Sequence, residues 1–595
     1  MATPQVRQIV YRTRTKSGCL TCKKRRIKCD ETRPSCLRCT STGRRCDGYH
    51  TTSLSPMVLS LPRPSLSPAT LTYARSEREI RSFQFFCEKT VFSLAGYCGS
   101  ELWSRSVLQV SQHEKPIWHA LVALGALHEN FENDRQIPGF WFSREGHDTF
   151  AVREYVAAIR ALLGPSDSAS SPSLHMGGSH DRRLTVDVCL ISCVLFICYE
   201  IMSSHYIAAV NHIRNGVKIL GQVTYDPRTG TYHHPFLKPS TVPSLEIENL
   251  RMLLVRLHGQ AFTLTRNEED NPSSTSAQLT GNGSVVIPQC FSSLAEARDV
   301  YEHHDGMFRR EYHLMVNAMA RFGTVDEPEI LVRRYTEILQ KWSSALDCFE
   351  QVRGPSLTVK EQAGLKILQI HRLRHNLLLE QYMSGSSEST VWDRYNAIFK
   401  EITALAASVV ELSSSVGSPA ILPARSVGSL RDLRDLRDRP RLSPSFSLDL
   451  GIISPLYDVA TLCRDPVIRR EAVGVLRSAS RQEGVFNSHV CAVVAEKVIS
   501  LEEKVALGGG LDYGRDSATV VELISETGVG RHGLISRCSE VPGSARLTYA
   551  YPEFDTAGRR VFLTIGQGIG VHANIPLRAM TAILDTEGRW SGEDI

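Results

Sequence analysis

Six cysteines between residues 19 and 46 constrain this 595-residue chain more than any other feature of its sequence. Their spacing is C-x-x-C, six residues, C, six residues, C-x-x-C, six residues, C. Adding seventeen to the numbers of the first three gives the numbers of the last three, so one three-cysteine unit is written twice. The duplication predicts two similar half-sites that face each other. The cysteines are Cys19, Cys22, Cys29, Cys36, Cys39 and Cys46.

Cysteines in this pattern can form disulfides, a redox pair or a set of metal ligands. The amino-terminal stretch MATPQVRQIVYRTR lacks the apolar core of a signal peptide. We therefore expect a reducing compartment, where structural disulfides are rare. A redox C-x-x-C usually occurs singly, near a βαβ pattern. Metal ligation is the interpretation that fits the doubled motif.

Structural zinc takes four ligands in a tetrahedron, and cysteine thiolates are among its preferred ligands. Six thiolates complete two such sites only if two sulfur atoms bridge both metals. The bridging pair should be equivalent under the seventeen-residue repeat, and Cys19 and Cys36 satisfy this condition. The remaining cysteines then complete one zinc site each, Cys22 with Cys29 and Cys39 with Cys46.

Two other metal sites use the same residues differently. A single zinc ion on four of the six cysteines is one, and a RING-like site with His50 as a ligand is the other. RING-type sites need eight ligands, usually with a histidine inside the motif. No histidine lies between Cys19 and Cys46.

The segment CLTCKKRRIKCDETRPSCLRCTSTGRRC resembles the binuclear zinc cluster of fungal transcription factors, including Pro34 two residues before the fourth cysteine. The resemblance covers about thirty residues. It implies two zinc ions as cofactors, bridged by the first and fourth cysteines, which are Cys19 and Cys36 here. It also implies a nuclear protein that binds double-stranded DNA and regulates RNA polymerase II genes. Control of a dedicated pathway, for example a secondary-metabolite gene cluster, is common in this family.

The stretch KKRRIK, between Cys22 and Cys29, is far more basic than its counterpart TSTGRR in the second unit. We expect residues 23–28 to form a short helix held at both ends by zinc ligands, with Ile27 packed against the cluster. Arginine can donate two hydrogen bonds to guanine in the major groove. By resemblance, Arg25 and Arg26 would read a CGG-like triplet, although relatives often have lysine at the second position. Lysines in the same stretch suit phosphate contacts: Lys23, Lys24 and Lys28.

The distribution of charge favours a polyanionic partner. Residues 1–48 have a net charge of +10, whereas the whole chain has +5. The basic charge is therefore local to the cysteine-rich segment and to the arm at residues 1–16, which could add DNA contacts or form part of a nuclear import signal. Such a surface should bind DNA with a strong dependence on salt.

The rest of the chain predicts a linker, a large helical region and a distinct tail. Residues 17–48 form the predicted zinc module, and the Ser/Pro-rich residues 49–75 form the linker. Residues 76–507 show mainly helical periodicity, as in the regulatory region of the family. Residues 508–595 form a tail of unknown role. We predict helices at 246–264, 329–349, 360–383 and 391–412, and loops near 165–182, 225–245, 267–288 and 413–447.

Two segments allow more than one interpretation. Residues 186–202 are the most apolar stretch, but they are too short to span a bilayer, so we predict a buried helix and no membrane association. Its cysteines (Cys189, Cys193 and Cys198) fit a core better than a second metal site. In the tail, residues 546–551 and 559–565 look like strands and lead into GQGIG at 566–570. The third glycine of a dinucleotide-binding loop is absent there, so a hairpin or an irregular tail is the better interpretation.

Three functions compete. A zinc-dependent DNA-binding regulator explains both the cysteines and KKRRIK. An enzyme in the region after residue 76 has no support, because the chain contains no G-x-S-x-G, H-E-x-x-H or Walker motif. A zinc-stabilised protein-interaction or targeting module attached to a helical domain would leave the basic stretch unexplained.

A CGG-like triplet is too short to specify a genomic site, so a second recognition element is expected. Four prolines between residues 56 and 68 exclude a coiled coil directly after the cluster. Either the chain forms a homodimer through its helical region or it binds DNA as a monomer with help.

Overall fold

The computed structural model describes most of the helical region and parts of both ends of the chain. The described residues are 19–25, 27, 29–30, 32, 35–46, 76–97, 100–133, 149–164, 184–226, 228–229, 231–239, 247–264, 285–322, 328–384, 389–415, 444–507, 535–547, 549–555, 560–567, 578–584 and 590–593. The chain divides into two units, Met1–Ala74 and Arg75–Ile595. The predicted linker at 49–75 and the predicted loop at 165–182 lie outside the described residues.

The first unit contains two very short helices, α1 (Leu20–Lys24) and α2 (Leu37–Thr40). Each begins at the residue after the first cysteine of a repeat unit. Among the described residues of this unit, the buried ones form a cluster of cysteines alone, with Cys46 packed against it. Without apolar side chains in that cluster, the module depends on what its sulfur atoms bind.

The second unit is mainly helical, as the sequence predicts. Its amino-terminal half contains α3 (Glu77–Phe85), α4 (Val91–Leu94), α5 (Val107–Ser111), α6 (Lys115–Asn133), α7 (Thr149–Leu163), α8 (Val186–Met202), α9 (Tyr206–Gly221) and α10 (Ile247–Leu264). Its later helices are α11 (Leu294–Phe322), α12 (Pro328–Arg353), α13 (Val359–Ser384), α14 (Asn396–Ser415), α15 (Ile453–Leu462), α16 (Pro466–Ala479) and α17 (Ser488–Ala506).

Local sequence signals explain where several of these helices begin. Ser76 and Glu79 form a capping box in which each side chain accepts a hydrogen bond from the other residue's backbone N–H, both at 3.2 Å. Asp465 caps α16 and precedes Pro466, whose missing N–H costs nothing in the first turn. Asn487 caps α17 in the same way.

Three apolar cores hold the second unit together. The first lies among α3–α10, the second among α13–α17 and the third among α11–α13. Nearly every residue of α8 is buried, which confirms the predicted core helix and explains why its sequence is apolar on all sides. No helix among the described residues has the length and hydrophobicity needed to span a membrane.

Short strands complete the architecture, and three of them lie in segments that the sequence predicts as loops, at 225–245 and 413–447. The predicted loop at 225–245 contains an antiparallel hairpin, β1 (Thr224–Asp226) with β2 (Thr231–His233). A small sheet joins β3 (Ser445–Ser447), β4 (Arg481–Glu483) and β5 (Phe486–Asn487). At three residues or fewer, these strands are too short for alternation to reveal them in the sequence.

The tail forms a four-stranded antiparallel sheet in the order β6, β7, β8, β9. Both strand-like segments of the sequence fall in it, and β6 pairs with β7 from Tyr549 with Gly566 to Asp555 with Arg560. Of the two interpretations that the sequence left open, a hairpin or an irregular tail, the structure has a hairpin within a larger sheet. The strands are β6 (Tyr549–Asp555), β7 (Arg560–Gln567), β8 (Arg578–Leu584) and β9 (Trp590–Glu593).

Candidate metal centre and nucleic-acid interface

The repeat places its cysteines through two equivalent helical turns. In the first repeat unit, Cys19 to Cys29, Cys19 precedes α1 and Cys22 lies within it. The Cys22 N–H points at the Cys19 sulfur at 3.3 Å. In the second unit, Cys36 precedes α2 and Cys39 lies within it. A single turn of helix therefore brings both sulfur atoms of each C-x-x-C to the same side.

Four sulfur atoms lie at the spacing of a tetrahedral zinc site. Cys19 Sγ is 3.5 Å from Cys36 Sγ and 3.8 Å from Cys39 Sγ, and Cys22 Sγ is 3.7 Å and 3.8 Å from the same two atoms. A tetrahedron with zinc–sulfur bonds of about 2.3 Å has edges of about 3.8 Å. The donor set and its spacing thus fit zinc.

The third cysteine of each unit adjoins this group. The backbone N–H of Cys19 points at Cys29 Sγ at 3.4 Å, and Cys29 also lies within ligand spacing of Cys36. Cys46 contacts the Cys19 thiol. Cys19 and Cys36 are fully buried, and each contacts cysteines of both repeat units. The structure thus brings all six predicted ligands together.

The chemistry of these thiols makes metal uptake dependent on pH. Burial raises the pKa of Cys19 to about 12, and it also raises the pKa values of Cys22 and Cys36. Zinc binds the thiolate form, so a bound metal must displace protons. Without a cation, Cys19, Cys22 and Cys36 would remain as neutral thiols.

A carboxylate that sequence reasoning missed organises the second half-site. Asp30 accepts hydrogen bonds from the backbone N–H groups of Leu37 at 2.9 Å and Arg38 at 3.3 Å, and from the Thr32 hydroxyl at 2.6 Å. These bonds, led by the one from Thr32, lower the pKa of Asp30 to about 2. The repeat itself contains a signal, because an aspartate follows the third cysteine of each unit, Asp30 and Asp47.

The basic stretch differs from its prediction in two respects. The helix ends at Lys24 instead of extending to Lys28, because the N–H of Ile27 bonds to the carbonyl of Cys22 at 3.2 Å and closes the turn. Ile27 is 40% exposed and is not packed against the cluster. Only six residues separate Cys22 from Cys29, and the chain must return to the cysteine cluster within them.

The predicted DNA contacts are only partly within the described residues. Lys24 is exposed at the end of α1, and Lys23 lies in the same helix. Arg25 is half-buried, and its Nη1 donates to the Thr42 hydroxyl at 3.3 Å. Thr42 occupies the position equivalent to Arg25 in the second unit, so this bond links the two halves. Arg26 and Lys28 lie outside the described residues.

Comparison with known proteins gives this module a family. Residues 17–55 match the profile of the "Fungal Zn(2)-Cys(6) binuclear cluster domain". That description specifies two zinc ions and six cysteines, and the six cysteines of this chain lie together in the structure. No solved structure matches the chain.

Curated relatives cover different shares of the chain. The aspercryptin biosynthesis cluster-specific transcription regulator atnN of Emericella nidulans is 26% identical over 590 residues, which cover 84% of this chain and 89% of that protein. The transcription regulator lscL of Purpureocillium lilacinum is 28% identical over 225 residues, so this chain spans only 48% of its length. The transcriptional regulatory protein moc3 of Schizosaccharomyces pombe is 54% identical over 55 residues, or 9% of this chain and 11% of that protein.

Proposed function

We propose that this protein is a zinc-dependent, sequence-specific DNA-binding regulator of transcription that acts in the nucleus, because residues 17–55 match the fungal Zn(2)-Cys(6) binuclear cluster domain. The observation that supports this proposal best is the convergence of six cysteines from a doubled motif beside a strongly basic turn. The proposal assigns no enzymatic activity to the chain.

In the proposed metal centre, Cys19 and Cys36 bridge the two zinc ions. These two cysteines are equivalent under the seventeen-residue repeat, and their 3.5 Å separation is the shortest of the four sulfur–sulfur distances given above. Cys22 and Cys39, which are 3.8 Å apart here, would move apart to bind different ions. Cys22 and Cys29 then complete the first site, whereas Cys39 and Cys46 complete the second. The metal supplies the structural link that the apolar core of a larger domain would provide.

In this proposal, the first three-cysteine repeat unit, Cys19 to Cys29, contacts the DNA bases. Arg25 and Arg26 contact guanines of a CGG-like triplet, and Lys23, Lys24 and Lys28 contact phosphates. The bond from Arg25 to Thr42 uses one of five guanidinium donors, so the remaining donors can pair with a base edge. Binding to DNA can also exchange that bond for a contact with guanine.

The organisation of the whole chain follows the same proposal. A basic arm (1–16) and the module (17–48) bind DNA, a linker (49–75) follows, and the helical region (76–507) regulates. The helical region would provide homodimerisation or the binding of co-regulators. Since the relative in Emericella nidulans is named for one biosynthetic cluster, we also propose a pathway-specific role for this chain.

DNA-binding measurements with the full chain test the proposal. The double variant R25A/R26A should lose affinity for a duplex with CGG triplets, because each bidentate arginine–guanine contact contributes about 1–3 kcal/mol of discrimination. The control R44A/R45A removes the same charge from two exposed residues of the second repeat unit, Cys36 to Cys46. Both variants must retain two zinc ions, as measured by metal analysis.

The outcome that supports the proposal is a loss of sequence preference in R25A/R26A alone. Equal losses of DNA affinity in the two double variants would mean that the first repeat unit contributes only general electrostatic attraction. Full binding after removal of zinc by a chelator would contradict a metal-dependent mechanism.

A further inference from the structure

A pair of cysteines in the helical unit, Arg75–Ile595, lies at disulfide geometry. Cys290 precedes α11, and Cys348 lies near the end of α12, 58 residues further along the chain. Their sulfur atoms are bonded to each other, and their Cα atoms are 5.3 Å apart. A separation of about 4.4–6.8 Å permits a disulfide without movement of the backbone. The pair can therefore form this bond within the native fold.

From this geometry we propose that Cys290 and Cys348 are an oxidant-responsive modification site. The proposal rests on the nuclear location given above, since a nuclear protein is exposed to a reducing glutathione pool. Disulfides in such compartments are usually transient and formed in response to oxidation. The pair is then a dithiol at rest and a disulfide under oxidative stress.

Proximity to a second thiol distinguishes this pair from the other described cysteines of the helical unit. Cys290 and Cys348 are half-buried, as are Cys87, Cys189, Cys193, Cys491 and Cys538, so a small oxidant can reach the pair but access alone does not single it out. Burial raises the pKa to about 12 for Cys87, Cys193, Cys463 and Cys491, which keeps those thiols in their unreactive protonated form. Among the described residues, only Cys290 and Cys348 form a disulfide.

The proposed reaction uses a hydroperoxide such as hydrogen peroxide. The thiolate of one cysteine attacks the peroxide oxygen, which gives a sulfenic acid and releases hydroxide that takes up the thiol proton as water. The second thiol attacks the sulfenic sulfur, forms the S–S bond and releases a second water. Two thiols are thus oxidised by two electrons while the peroxide is reduced to two waters. Exchange with glutathione reverses the bond.

Closure of this bond affects the packing of α11 against α12. Phe291, next to Cys290, is buried against Trp342, with ring centroids 6.1 Å apart. The Trp342 indole donates to the Ala297 carbonyl in α11 at 2.8 Å. The disulfide therefore ties the start of α11 to the helix that contains Trp342, within the third core. Oxidation stiffens this junction, and reduction leaves it held by packing and by hydrogen bonds such as that from Trp342 to Ala297.

Differential alkylation of the full, zinc-loaded chain tests the proposal. One sample is treated with dithiothreitol and another with hydrogen peroxide, after which free thiols are blocked and peptides are identified by mass spectrometry. We expect free Cys290 and Cys348 after reduction and a Cys290–Cys348 crosslink after mild oxidation. Cys290→Ser and Cys348→Ser should each abolish the crosslink, whereas the control Cys463→Ser should retain it.

Zinc content and thermal stability separate this disulfide from oxidation of the metal ligands. Zinc content must stay constant over the same peroxide range, because a loss of zinc would mean that the metal ligands oxidise before the pair. Oxidation should raise the thermal unfolding midpoint of the wild-type chain but not that of Cys290→Ser. In cells, the crosslinked fraction should rise on exposure to peroxide and fall on recovery.

Several outcomes would overturn the proposal. They are two thiols that never crosslink, a crosslink that is complete in unstressed cells, and a crosslink that forms only after zinc is lost. DNA binding by the zinc module is measured separately on the same samples. A chain that binds CGG-containing DNA without a responsive crosslink refutes only the redox site, whereas a responsive crosslink without DNA binding refutes only the proposed function.

Discussion

Replacing Glu502 with glutamine tests how the helical region holds its carboxyl-terminal segment. The Glu502 side chain in α17 is fully buried and accepts hydrogen bonds from Arg464 at 2.6 Å and Arg469 at 2.9 Å, both also buried. The backbone N–H of Leu547 donates to the same carboxylate at 2.8 Å. Burial alone would raise the pKa of Glu502, but the two guanidinium groups outweigh it and hold the pKa below its ordinary value.

The magnitude follows from the burial of these charges. Glutamine keeps the shape of the side chain but replaces one accepting oxygen with an NH2 group, which leaves two buried arginines without a counter-charge. Breaking a buried ion pair on one side typically costs about 3–5 kcal/mol. The adjacent pair of Glu503 with Arg470 is a matched control, because the Arg470 side chain is 42% exposed and such pairs contribute about 0–1 kcal/mol.

Urea unfolding of the full chain, followed by far-ultraviolet circular dichroism, measures the two variants side by side. We expect E502Q to lower the free energy of unfolding by several times the effect of E503Q. Hydrogen exchange should also accelerate at the amide of Leu547 in E502Q, since that amide loses a charged acceptor. Equal destabilisation by the two variants would refute the argument that the buried triad fastens this segment.

Three further predictions concern other parts of the molecule. Gly96 has φ +59°, and a Cβ atom there would lie 2.2 Å from a carboxylate oxygen of Asp449. Gly164 also has a positive φ, +75°, but a Cβ atom there would meet open space, so G96A should destabilise the chain more than G164A. Equal unfolding midpoints of the two variants would contradict this steric explanation. Replacing Asp30 with alanine should weaken zinc retention against a chelator, whereas D30N should retain most of it because asparagine also caps helices; equal retention by wild type and D30A would argue against the cap. Burial, with Lys89 nearby, lowers the pKa of His128 from 6.5 to about 4. Between these pH values the unfolded state therefore binds more protons than the folded state, and His128 lowers the free energy of unfolding by about 1.4 kcal/mol for each pH unit as the pH falls from about 6.5 to 4. The stability difference between wild type and H128Q should shrink over that range, and parallel pH profiles of the two proteins would contradict this prediction.

Local patterns in the sequence predicted the metal module and most of the helices. Ligand spacing is a property of a short segment, so the cysteines at 19–46 indicate zinc without any knowledge of the rest of the fold. The predicted helices at 246–264, 329–349 and 360–383 agree with Ile247–Leu264, Pro328–Arg353 and Val359–Ser384 because apolar periodicity over five or more turns is a strong local signal.

Prediction from the sequence was weaker where short segments meet distant partners. The helix of the basic stretch was predicted too long, since a backbone bond from Ile27 to Cys22 closes the turn early. The capping role of Asp30 depends on the N–H groups of α2, which follow it by seven and eight residues. Neither contact has a signature in the periodicity of side chains.

Ligand spacing and hydrophobic periodicity are local properties of the chain, so they were enough to predict a zinc module, a helical region and a β-containing tail. Which distant charges and thiols meet depends on the tertiary structure. Glu502 finds Arg464 at a separation of 38 residues, and Cys290 finds Cys348 at 58. Contacts across such distances depend on how whole helices pack, and a single sequence contains no local signal of that packing.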